Sequence, residues 1–293
     1  PGLSASDNFA ESARGSRRRM LLHGLTDLCA APLYERFAKA RSRDTAPAAP
    51  APGQAVSMSR YQQFVADMKA GGFRSLFEEK PVLLRLIATL TRQWIDCCGE
   101  FAGRLEADLE ALRRDVLTSA APARVVAIQG DLSDRHNGGR MVLIVTFEDG
   151  ARIVYKPKDL RLDVAWHDLI ARLNLSAPLQ LRAVRAIARE HYGWTEFIDH
   201  TGCVDPAGPE MFFRRAGAWL ALFHCFVTTD MHQENIIAAG DHPVPIDLET
   251  ILQTSAMAPK AQDGEAAAAV EAATDIIANS VTRVGLLPAY GRG

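Results

Sequence analysis

Apolar residues recur at steps of three and four through Leu83, Ile87, Leu90, Trp94, Cys98, Phe101, Leu105, Leu109 and Leu112, which predicts one long amphipathic helix. Pro81 suits its first turn, where a missing N–H has no intrahelical partner to lose. Upstream, Met20 to Lys39 reads as another helix. It follows a polar segment, 1–19, that ends in Arg17, Arg18 and Arg19 and is expected to be a flexible tail. Between the helical stretches, Ala46 to Gly53 runs Ala-Pro-Ala-Ala-Pro-Ala-Pro-Gly. Each proline removes a donor and restricts the residue before it, so about 41–58 is expected to be a linker or long loop within a helical region spanning 20–118.

The period changes after Ser119. Arg124 to Gln129, Met141 to Glu148 and Ala151 to Lys156 are short and rich in Val and Ile, and Asp149-Gly150 between the last two is a strong hairpin signal. A helix over Leu162 to Leu173, strands over Leu181 to Glu190 and Trp194 to Ile198 around a turn at Tyr192-Gly193, and a helix over Glu210 to Val227 follow. A loop then leads to a short strand, Val244 to Leu248. Ala256 to Ala273 is alanine- and acid-rich, the pattern of a mobile segment or marginal helix within 256–293. No internal repeat is visible. The class expected is α+β: a helical N-terminal region, then a core over 119–255 with a mixed, mainly antiparallel sheet.

Composition narrows the function. With 293 residues and 48% hydrophobic content, the chain has an ample core and room for about two domains. A formal net charge of -2 argues against nucleic acid or an anionic membrane as an electrostatic partner. The best apolar stretch, Met211 to Val227, is interrupted by Arg214, Arg215 and His224, so no membrane span is expected. The N-terminus has no initiator Met and no basic segment leading into an apolar one, which predicts no secretory signal and a chain cut from something longer. Cys29, Cys97, Cys98, Cys203 and Cys225 form an odd set without a C-x-x-C pair, as expected of reduced, mostly buried thiols in a cytoplasmic protein.

The chemistry concentrates near the C-terminal third. Asp230 and Asn235 stand five apart, the interval of the catalytic aspartate and asparagine in the protein-kinase loop H-R-D-x-x-x-x-N. Twelve residues beyond Asn235, Asp247 ends an apolar stretch about where a kinase places its metal-binding aspartate. Mg²⁺ takes one or two carboxylates plus substrate phosphates, so an amide oxygen and a carboxylate reaching one point suit it. A kinase also needs a cation on a strand, and Lys156 closes Val154-Tyr155-Lys156 in that context. A strand-end lysine is ordinarily a solvated rim charge, and the downstream acids reverse that preference here. Asp163 or Asp168 on the following helix could pair with Lys156.

Several residues have plainer readings. The loop Gly130 to Arg140 lacks a G-x-G-x-x-G pattern, and Gly138-Gly139 would serve a plain hairpin equally well. Asp134-x-His136 in the same loop adds an acid and a titratable base for which an ordinary kinase has no need. Glu196 reads as an exposed strand carboxylate before a nucleotide-side residue, and His167 with its neighbouring acids as a solvated face. Trp219, Leu222, Phe223 and Phe226 read as helix core. Cys203, Cys225, His224 and His242 lack zinc-ligand spacing.

Five ordered stretches carry a family resemblance: Leu132 to Arg140, Val154-Tyr155-Lys156-Pro157-Lys158, Tyr192 to Phe197, Asp230 to Asn235 and Pro245 to Thr250. Together they resemble the dehydratase domain of class II lanthipeptide synthetases, the LanM enzymes. Leu21 to Thr26 and Glu78 to Leu83 are similar to that family's helical N-terminal region, so the likeness runs from about Met20 to Pro288.

The resemblance implies a lipid-kinase-like core that uses ATP and Mg²⁺ to phosphorylate Ser and Thr of a precursor peptide, comprising a leader and a Ser/Thr-rich core. Phosphate is then eliminated to give dehydroalanine or dehydrobutyrine. Carried over by motif, Lys156 holds phosphates, Asp230 acts at the substrate hydroxyl, and Asn235 and Asp247 bind Mg²⁺. His232 and Glu249 complete the phosphorylation site, while Asp134 and His136 serve elimination. Further elimination residues and a zinc cyclase domain are expected beyond residue 293, and no zinc in this chain. The alternatives are a kinase-like phosphotransferase acting on another substrate and a non-catalytic module binding nucleotide or peptide.

Overall fold

The computed structural model describes residues 8–43, 58–117, 124–130, 135–252 and 265–288. The chain forms two compact units, one of residues 1–109 and 122–150, the other of 110–121 and 151–293. The division therefore falls elsewhere than the change of period at Ser119, because the first two strands belong with the helical unit.

In the first unit, α1 (Glu11–Arg43) precedes α2 (Met58–Asp67), a π-helical turn at Met68–Gly72, α3 (Phe73–Glu79) and the long α4 (Pro81–Asp115), whose residues from Glu110 on belong to the second unit. Helix α4 starts at Pro81 as expected, and its predicted stripe supplies the buried residues Leu83, Cys98, Phe101, Leu105 and Leu112. The expected tail is corrected over its second half: α1 begins at Glu11, and Phe9 and Ala13 are fully buried. The reason is tertiary. The Asn8 carbonyl accepts from Val125 N–H at 2.8 Å, and Ala10 N–H donates back to the Val125 carbonyl at 2.9 Å, while Phe9 packs on Phe101. Residues 1–7 and 44–57, the latter holding most of the expected linker, lie outside the described residues; Arg41 to Arg43 still belong to α1.

Strands β1 (Val125–Gln129) and β2 (Leu143–Phe147) pair antiparallel within this unit. Between them, residues 136–140 close a tight turn, in which His136 and Arg140 exchange backbone hydrogen bonds at 2.8 Å each. Gly138 and Gly139 take positive φ there, which accounts for the glycine pair by turn geometry. Arg140 donates to Glu100 at 2.9 Å, tying the turn to α4.

In the second unit, β3 (Arg152–Lys156), β5 (Tyr192–Glu196) and β4 (Ala186–Arg189) form an antiparallel set with β5 central. The predicted turn at Tyr192-Gly193 is corrected to Glu190-His191, where His191 has φ 68°. Gly193 instead lies inside β5 opposite Lys156. A Cβ there would stand 2.6 Å from the Ile187 carbonyl oxygen, so the close approach of β4 requires glycine. Helix α5 (Arg161–Asn174) follows β3, and α6 (Gly208–Cys225) follows β5. The loop expected after α6 contains a further strand: β6 (Ile236–Ala239) pairs antiparallel with β7 (His242–Pro245). The predicted strand at Val244 to Leu248 is thus shifted toward the N-terminus. Helix α7 (Glu265–Ala278) and a 3₁₀ turn at Val281–Val284 end the described chain, while 253–264 lie outside it.

The core of this unit stacks Trp166 of α5 on Trp219 and Phe223 of α6, with ring centroids 6.1 and 5.9 Å away. Leu181, Met231, Leu248, Ile251 and Val284 join the cluster. The Trp219 indole donates to the Pro243 carbonyl at 2.8 Å, fixing α6 to β7. No helix among the described residues is long and apolar enough to cross a membrane. All five cysteines are free, but the expectation that they are mostly buried holds for Cys98 and fails for the exposed Cys203 and Cys225.

Candidate functional site

The second unit brings five of the eight predicted site residues onto two short segments anchored from beneath, and a sixth, Lys156, ends β3. Met231 is fully buried between Asp230 and His232, and Leu248 is buried between Asp247 and Glu249. Each apolar residue enters the aromatic core, and its polar neighbours stay accessible. The segments are also tied to each other: Ile246 N–H donates to the Asn235 carbonyl at 2.9 Å, and the Thr250 hydroxyl donates to the Thr229 carbonyl. The first segment is pinned from the other side, since Met231 N–H donates to the Val284 carbonyl at 2.8 Å.

Within the loop, the Asn235 amide nitrogen donates to the Asp230 carbonyl at 2.7 Å, a bond that does not use its oxygen. Asp230 has φ 64°, a left-handed conformation that Asp adopts more readily than most side chains but less readily than glycine. His232 accepts at Nδ1 from Glu234 N–H at 3.2 Å, which puts the ring proton of the neutral imidazole on Nε2. That nitrogen lies 3.3 Å from Asp230 Oδ1. His232 thus orients the carboxylate expected to meet a substrate hydroxyl.

Lys156 and Lys158 stand in different surroundings. Lys156 is 7% exposed, and its ammonium donates to the Ile246 carbonyl. Burial pushes its pKa below the ordinary lysine value, against the pull of Asp163 and then Asp247. Asp163 is itself buried, and that burial raises its carboxyl above the usual range, with Lys156 the chief opposing charge. Of the two helix acids left open by the sequence, Asp163 is the one facing Lys156; Asp168 is exposed beside His167 at 3.6 Å.

Lys158, quoted in the motif but given no role there, donates to Asp247 Oδ1 at 2.7 Å and to Glu249 Oε2 at 2.9 Å. Burial would raise the Asp247 pKa, but Lys158 and Lys156 outweigh it and hold the carboxyl below its usual value. Burial likewise disfavours the Lys158 ammonium, and Asp247 with Glu249 more than compensates, leaving its pKa raised. Two carboxylates therefore converge on one cation. That donor set fits Mg²⁺, a hard ion that accepts one or two carboxylates and completes its shell with water and phosphate oxygens. Among the described residues, no three His, Cys, Asp or Glu side chains converge as an all-protein cage.

Glu196 corrects its plain reading. Its side chain is 12% exposed and accepts from Arg185 N–H at 2.9 Å, with the Arg185 and Arg182 guanidinium groups at 3.2 and 3.4 Å. It joins β5 to the segment before β4. Of the two residues expected to serve elimination, His136 is exposed at its turn in the first unit, and Asp134 lies outside the described residues.

A family model described as "Domain of unknown function (DUF4135)" matches residues 81–292. The chain belongs to this family. It is also 24% identical over 244 residues, 79% of its length, to "Lacticin 481/lactococcin biosynthesis protein LcnDR2" of Lactococcus lactis subsp. lactis. It spans 26% of that relative. Both matches agree with the motif resemblance to LanM synthetases, and the family match covers the whole paired-segment site from Lys156 to Glu249.

Proposed function

We propose that this DUF4135 chain carries the phosphorylation chemistry of a class II lanthipeptide synthetase dehydratase, with ATP and Mg²⁺ as cofactors and a Ser/Thr-containing precursor peptide as substrate. The observation that supports it most is the joining of the Asp230 to Asn235 loop with the Asp247 to Glu249 segment over one core, with two lysines alongside. The relative's biosynthetic role supports the substrate class.

When bound, Mg-ATP supplies the transferable phosphoryl group and neutralises charge on it. Asp247 and Asn235 would hold the metal, with Glu249 beside them. Asp230 would accept the Ser or Thr hydroxyl proton, and the chemistry supplied there would be transfer of the γ-phosphoryl group to that hydroxyl oxygen with ADP as the leaving group. His232 keeps that carboxylate aimed, and Lys156, with Asp163 as its chief buried counter-charge, would hold the phosphates. Phosphorylation turns a poor leaving group into a good one. In elimination a base takes the α-proton, the Cβ–O bond breaks and phosphate departs, the step for which Asp134 and His136 are proposed.

Mass spectrometry of a lanthipeptide precursor incubated with the chain, ATP and Mg²⁺ tests the reading. Phosphorylated or dehydrated peptide is expected, lost in Asp230→Ala. In an assay that supports elimination, His136→Ala should accumulate phosphopeptide. A folded chain that shows no Mg-ATP thermal shift and leaves the peptide unchanged would overturn the assignment.

A further inference from the structure

We propose that Lys158 is a resident counter-ion of the metal site: its ammonium holds Asp247 and Glu249 in place of a divalent cation and must leave them for the metal to bind. The proposal rests on the reading of Asp247 as a metal ligand. One nitrogen stands 2.7 Å from Asp247 Oδ1 and 2.9 Å from Glu249 Oε2, so it takes lone pairs from two residues at once. Those carboxylates flank the buried Leu248, whose packing keeps the pair on one mounting. Without a cation between them they would repel each other at short range.

The neighbouring lysine is not suited to the same task. Lys156 is buried and donates to a backbone carbonyl, so releasing it would leave a charge without solvent. The Lys158 side chain is 31% exposed, and its long stem can swing the ammonium into water at little cost. Ammonium and metal compete for the same carboxylate oxygens. Metal loading then exchanges one cation for another of higher charge, and the freed ammonium remains within a side chain's length of the incoming phosphates.

Titration of the full chain with Mn²⁺ alone, with free ion counted by electron paramagnetic resonance, tests the competition. Lys158→Met should tighten Mn²⁺ binding about fivefold or more. Arg161→Met should change it by less than about twofold, since Arg161 removes an equal charge but is paired with Asp159. On the wild-type chain, amine acylation read by mass spectrometry should show Lys158 becoming more reactive as Mn²⁺ is added while Lys156 stays protected. This second measurement decides the matter if the variant does not fold. Unchanged or weaker Mn²⁺ binding in a folded Lys158→Met, or a Lys158 footprint indifferent to Mn²⁺, would overturn the inference while wild-type Mg-ATP binding left the proposed function standing. A folded wild-type chain that binds neither Mn²⁺ nor Mg-ATP would overturn both.

Discussion

The Asn235 side-chain amide donates to the Asp230 carbonyl at 2.7 Å, closing a loop whose two ends are both predicted functional residues. The bond spends an Asn235 donor on structure and leaves its acceptor oxygen unused by that contact. Asn235→Ala should therefore lower stability by about 1 kcal/mol, the size of one partly exposed hydrogen bond, and weaken Mg-ATP binding as well. Asn235→Asp should do no better, because a carboxylate cannot donate to the Asp230 carbonyl. Urea unfolding and calorimetry separate the two effects; full Mg-ATP affinity in Asn235→Ala would remove this residue from the site.

Asp230 lies at φ 64°, where glycine is relaxed and other residues are strained. Asp230→Gly should unfold at the same or higher denaturant concentration, with a gain of up to about 1 kcal/mol, yet phosphorylate no peptide. A loss of more than about 2 kcal/mol would mean that the carboxylate is a structural element instead.

Met231 is fully buried and carries the backbone of its two polar neighbours. Met231→Ala should cost about 2–5 kcal/mol, the usual range for deleting a buried side chain of this size. It should also reduce activity in the surviving folded protein by displacing Asp230 and His232. Activity per folded molecule equal to that of wild type would show that the loop is held by its hydrogen bonds alone.

The Lys158 and Asp247 pair makes a pH-dependent contribution. Asp247 has a folded pKa below its ordinary 3.8, so its stabilisation is present above that value and fades as pH falls through the folded pKa. Lys158 has a folded pKa above its ordinary 10.5, so its stabilisation is complete below that value and fades as pH rises through the folded pKa. The stability difference between wild type and Lys158→Met should thus be flat across the neutral range and shrink at both extremes. Screening keeps the pair's contribution at about 1 kcal/mol or less. A difference that grows in acid would show that Asp247 is not its partner.

Periodicity determined the long helix α4 from Pro81, because its apolar stripe is set by the helical repeat and needs no distant partner to be recognised. Residue types and intervals likewise marked Lys156, Asp230, Asn235 and Asp247 as candidates, since phosphate and metal chemistry restricts which side chains can serve, and the family resemblance added His232 and Glu249. The rest depended on contacts between remote segments. Polar residues before Met20 became helical because Phe9 found Phe101 and the backbone at 8–10 found Val125. Strand β6 was invisible because four residues, Ile-Ile-Ala-Ala, hold no period, and pairing with β7 defines them. Asp163 and Asp168 look alike in sequence, five positions apart on one helix; burial separates them and sets the first against Lys156. Lys158 acquired a role only when folding carried Asp247 and Glu249, some ninety residues away, to within a hydrogen bond of its ammonium.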